Sequence, residues 1–89
     1  MILPQIEINQ ENYQNIAKRL EVLSNKLHLQ ILLILENGPK TNEQIFTILK
    51  QQGLIKFSGS SYRAVEKLVK YNIVQKKYEN QNRRFIYFL

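Results

Sequence analysis

Apolar residues recur along the chain first at helical and then at strand spacing. Tyr13, Ile16, Leu20, Leu23 and Leu27 fall at intervals of three and four on an otherwise polar stretch, one seam that predicts a helix over residues 10–27. Ser24 or Asn25 can cap a second helix, and its segment LHLQILLIL (27–35) is apolar enough to predict burial nearly all round. Asn37, Gly38 and Pro39 end that helix, because glycine takes the left-handed cap and proline cannot continue the ladder. Thr41 followed three residues later by Gln44 is a capping box, and Ile45, Ile48 and Leu49 form the buried stripe of a short helix closed by Gly53. Residues 54–57 are a connector. Ser58, Gly59, Ser60 and Ser61 offer N-caps for a fourth helix with Val65, Leu68 and Val69 on its apolar side and Asn72 as its stop. Segments 73–78 and 83–89, aromatic and β-branched, predict two strands joined by the turn formers Glu79, Asn80, Gln81 and Asn82. The predicted fold class is therefore mainly α with a small β-hairpin, helices followed by a two-stranded wing, in one domain spanning 1–89. The helix-turn-helix would occupy 41–71 and the wing 73–89.

Composition narrows the function. A chain of 89 residues buries about 65% of its extended surface, which excludes a deep cleft between two domains. The absence of cysteine and the single histidine remove thiolate, disulfide and most metal chemistry, so no metal or other cofactor is expected. There is no glycine-rich phosphate loop, and Glu43, Glu66 and Glu79 stand on separate predicted elements near bases, so a non-enzyme without catalytic residues is predicted. The longest apolar run, 31–35, is far short of the roughly 20 residues that a bilayer needs. The opening MILPQIEINQ lacks the basic and apolar regions of a signal peptide, so a cytoplasmic protein with no membrane partner is expected. His28, on the apolar second helix, is assigned to packing, and most of the nine aromatic residues to structure.

Charge then adds a partner. The net charge is +6, and it is unevenly placed: residues 1–37 hold three bases against four acids, whereas residues 38–89 hold ten against three. Stepping 100° per residue from Val65 puts Ser61 and Leu68 within about 60° of the inward direction, and Ser60, Arg63, Lys67 and Lys70 on the opposite side. A guanidinium early in such a helix can bond bidentately to a guanine edge while the lysines meet phosphates, and the hydroxyls of Ser58, Ser60 and Ser61 with Tyr62 can join them at the helix start. Lys76, Lys77, Asn80, Asn82, Arg83 and Arg84 surround the predicted hairpin tip. Double-stranded DNA is the polyanion that this order of elements suits.

The segment SGSSYRAVEKLVKYNIV resembles the recognition-helix region of PadR-like winged helix-turn-helix regulators, ungapped from Gly59 to Val74. More loosely, LSNKLHLQILLIL resembles the second helix of ArsR-like repressors, and RRFIYFL the second wing strand of both groups. The sequence departs from them in three ways: Asn72 stands where the exit glycine would be, TNEQIFTILK lacks the sensor cysteines of ArsR-like proteins, and residue 89 is reached at the second wing strand without a further dimerisation helix. The resemblance implies a DNA-binding, DNA-associated homodimer acting as a small transcriptional regulator, most simply a repressor. Its partner surface would be the Tyr13, Ile16, Leu20, Leu23 and Leu27 seam, whose spacing on a polar helix suits a helix pair. The alternatives are an architectural, replication or plasmid-partition DNA-binding protein, or a winged helix used for protein or RNA contact.

Overall fold

Four helices and one hairpin follow each other in the computed structural model, which describes residues 10–89: α1 (Gln10–Leu23), α2 (Lys26–Glu36), α3 (Asn42–Gln51), α4 (Ser58–Lys70), β1 (Gln75–Glu79) and β2 (Arg84–Phe88). The predicted reading of residues 1–9 lies outside the described residues. The first helix is shorter than the apolar seam implied. Ser24 folds its hydroxyl onto the Glu21 carbonyl (2.7 Å), and Asn25, in an extended conformation, accepts from the backbone N–H of Leu27 and His28 and so starts a new helix. Leu27 therefore belongs to the first turn of α2 and not to the α1 seam. A side-chain cap that satisfies two otherwise orphaned N–H groups outweighs continued hydrophobic periodicity at this point.

The core gathers Val22 from α1, Ile31, Ile34 and Leu35 from α2, Ile45 and Leu49 from α3, and Ala64, Val65 and Leu68 from α4, closed by Val74 and Tyr87. His28 is buried, and its Nδ1 meets the Val22 carbonyl at 2.8 Å. A carbonyl only accepts, so that nitrogen carries the hydrogen and clamps α2 to the end of α1. Burial of α2 is one-sided, contrary to the all-round burial that its apolar run predicts. Leu29 and Leu33 are 44% and 52% exposed, because the layers that pack on α2 reach only its other side.

Local signals hold α3 and the turns around it. The capping box is complete, with Gln44 N–H donating to the Thr41 hydroxyl (3.2 Å) and Thr41 N–H donating to the Gln44 side-chain oxygen (2.9 Å). Gly53 sits at φ +74° and Asn72 at φ +58°, both left-handed, so the predicted stops of α3 and α4 occur as expected. The start of α4 differs from expectation: its cap residue is Phe57, extended and without a side-chain cap hydrogen bond, and the serines lie inside the first turn.

The strands pair antiparallel, with Gln75 opposite Phe88 and Glu79 opposite Arg84, and Arg83 takes φ +50° in the turn. One feature of the sheet has no local sequence signal. Lys40, between α2 and α3, pairs with the other edge of β2, its N–H donating to the Tyr87 carbonyl (3.0 Å) and its carbonyl accepting from Tyr87 N–H (2.8 Å). The wing is thereby tied to the front of the helix-turn-helix as well as to its end. No helix among the described residues is long and apolar enough to cross a membrane.

Candidate nucleic-acid interface

The fourth helix sorts its side chains into three sides. Ser61, Ala64 and Leu68 turn toward α3 and the core and are buried. Tyr62 and Glu66 turn toward the wing, where Glu66 accepts the ammonium of Lys76 in a salt bridge. Between them Arg63, Lys67 and Lys70 stand in solvent with Ser60 half-buried in line, at the spacing that keeps one stripe on a helix. Among the described residues no carboxylate lies within salt-bridge distance of Arg63, Lys67 or Lys70. The positive charge on this face is therefore uncompensated by the described residues.

Ser61, expected among the residues that reach a ligand, does not. It is fully buried, and its hydroxyl donates to Asn42 Oδ1 at 3.0 Å, bolting α4 to the start of α3. About 40° from the inward direction is close enough for its small side chain to be taken into the helix contact. Ser58 is exposed in the first turn. With no cap side chain on Phe57, N–H groups at this helix start remain open to an acceptor.

The wing divides its cations between anchoring and exposure. Lys76 is largely taken up by the molecule itself: it pairs with Glu66 and lies over the rings of Phe85 (4.3 Å) and Tyr87 (5.8 Å). The hydrogen bond that it donates to Glu66 keeps this ammonium protonated above the usual lysine range, with burial opposing. Lys76, expected as a DNA contact, thus seats the wing on α4, and its ammonium is paired within the fold rather than free. At the tip, Glu79 accepts from Asn82 and from Arg84 Nε (3.2 Å), and its carboxyl is held below its usual range first by Asn82 and then by Arg84. Lys77, Asn80 and Arg83 remain exposed.

Two exposed residues directly ahead of α4 in the chain, Lys56 and Phe57, the latter 73% exposed, are not among the predicted site residues. Their signal in the sequence is a basic–aromatic pair immediately before α4. The aromatic residues are also less structural than expected. Tyr62, Tyr78 and Phe85 are each about half exposed, and Tyr78 packs edge-on against Phe85 with centroids 5.1 Å apart. Tyr87 is buried, and burial raises its phenol above the usual range.

On α1, Tyr13 and Leu20 are 64% and 62% exposed, Ile16 and Leu23 are half-buried, and Val22 enters the core. Arg19 Nε donates to the Tyr71 carbonyl at 3.1 Å, so α1 is fastened to the end of α4. No protein-family model matches the chain, and no curated protein matches it in sequence.

Proposed function

We propose that the protein is a sequence-specific double-stranded DNA-binding regulator, DNA-associated in the cytoplasm, that works as a homodimer and represses by occupying a promoter. The observation that carries this is the stripe of Arg63, Lys67 and Lys70 on α4, solvent-facing with half-buried Ser60 in line, without carboxylate partners among the described residues, and flanked by α3 on one side and the wing on the other. A helix of 13 residues with one apolar and one cationic side suits a major groove, which admits a single helix. Arg63 is the base reader in this scheme, and Lys67 and Lys70 position the helix on phosphates. Lys77 and Arg83 extend the cationic track along the wing.

A single domain of this size reaches one half-site, so specificity in a genome favours a two-fold partner. The exposed Tyr13 and Leu20 on α1 supply an apolar surface for a second copy. In such a dimer the recognition helices would enter successive major grooves about 34 Å apart. A genomic footprint of the purified protein tests the proposal. Bounded palindromic sites are expected; spreading coverage would replace the regulator with an architectural or partition role, and a basic face that duplex DNA cannot occupy at physiological salt would replace DNA with a protein or RNA partner.

A further inference from the structure

The groove between α4 and the wing holds more than phosphate-binding groups. Tyr62 from α4 and Phe85 from β2 both line it, along with the first residues of α3 and the wing turn, around a volume of about 520 Å³. That is the size range of small-ligand sites. Each ring is about half exposed; Tyr62 packs on no other ring or cation among the described residues, whereas Phe85 already carries the Lys76 ammonium on its ring and meets Tyr78 edge-on, and offers the groove its remaining exposed surface. At the α3 end Asn42 accepts the Ser61 hydroxyl through its oxygen, which leaves its NH2 group as a donor, and the neighbouring Glu43 is an exposed acceptor. At the wing end Arg83 is exposed with no carboxylate within salt-bridge distance among the described residues.

Aromatic faces, an amide donor with a carboxylate acceptor, and a free guanidinium are the parts needed to stack a nucleobase, meet its edge and hold its phosphate. We propose that this groove takes one unstacked nucleotide of the bound nucleic acid. It deepens the DNA-binding reading and rests on it, because Tyr62 directly precedes Arg63 and the groove opens beside the cationic stripe. Paired bases in a duplex have both faces stacked, so the groove discriminates in favour of DNA with an unpaired nucleotide next to the helix contact.

The test uses three ligands: a fully paired duplex, the same duplex with a one-nucleotide 2-aminopurine bulge, and one with an abasic bulge, which keeps the kink and lacks the base. The wild-type protein is expected to bind the base-bearing bulge about tenfold more tightly than the abasic one, as one stacked base contributes, and to quench 2-aminopurine fluorescence. Tyr62→Leu and Phe85→Leu keep apolar bulk but lose the ring, and each should abolish both the quench and the preference while the circular dichroism spectrum is unchanged. Equal affinity for base-bearing and abasic bulges overturns the groove assignment and leaves duplex binding intact. Failure to bind any of the three overturns both. Binding of free 2-aminopurine nucleotide as tightly as the bulged duplex would reassign the groove to a soluble ligand and overturn the proposal.

Discussion

Salt dependence offers a quantitative check, because the structure separates free cations from those already neutralised. From Lys56 onward the chain carries eight bases and two acids. Two of those bases are committed internally, Lys76 to Glu66 and Arg84 to Glu79. Lys56, Arg63, Lys67, Lys70, Lys77 and Arg83 remain exposed and unpaired among the described residues. If all six meet phosphates, releasing about 0.9 counterion each, the slope of log K against log salt is about −5 per protomer, and affinity falls about 10³-fold between about 50 and 200 mM salt. Fluorescence anisotropy of a labelled duplex across that range measures the slope. Lys67→Ala should make it shallower by about one. Replacing the neutral pair together, Lys76→Met with Glu66→Gln, should leave it unchanged, since no net charge is removed and Met still packs on Phe85. A wild-type slope shallower than about −2 would refute DNA binding through this face, and a full unit lost with the neutral pair would refute the division between anchoring and contacting lysines.

Other outcomes separate the roles of single residues. Arg63→Ala should cost about 1 to 3 kcal/mol on a specific site and little on random DNA; equal losses on both would show that it contacts only phosphate. Leu20→Glu should leave a folded chain, since Leu20 is 62% exposed, yet sediment as a monomer, and a persistent dimer would move the partner surface off α1. Ser61→Ala should cost about 1 kcal/mol, lower the melting temperature by about 4 to 8 °C and leave affinity for paired duplex unchanged, because the hydroxyl is buried against Asn42. Lys76, raised by the hydrogen bond it donates to Glu66, and Tyr87, raised by burial, bind their protons more tightly when folded. Their contributions are complete below about pH 10 and are lost as pH rises through the folded values. Chemical denaturation from pH 8 to 11 should therefore show falling stability at the alkaline end, and Lys76→Met should flatten that fall.

Which features were legible along the chain depends on how far apart the interacting groups lie. The boundaries around α3 and the end of α4 were readable because Thr41 with Gln44, Gly53 and Asn72 act within three or four residues. The cationic stripe was readable for the same reason, since helix period alone puts Arg63, Lys67 and Lys70 on one side. The end of α1 was not, because Asn25 capping competes with a seam that continues to Leu27, and periodicity cannot weigh one against the other. Burial of Ser61 and exposure of Leu29 and Leu33 depended on which neighbouring elements reach those helix faces. The removal of Lys76 from the free cations needed Glu66 ten residues away, and the seating of the wing needed Lys40 to meet Tyr87 across most of the domain. Sequence by itself determined the order of elements and the sign of the exposed face, through capping and period that act within a helical turn. Only tertiary structure decided which of those charges remain available to a partner, because pairing and desolvation are set by groups that the chain brings together from far apart.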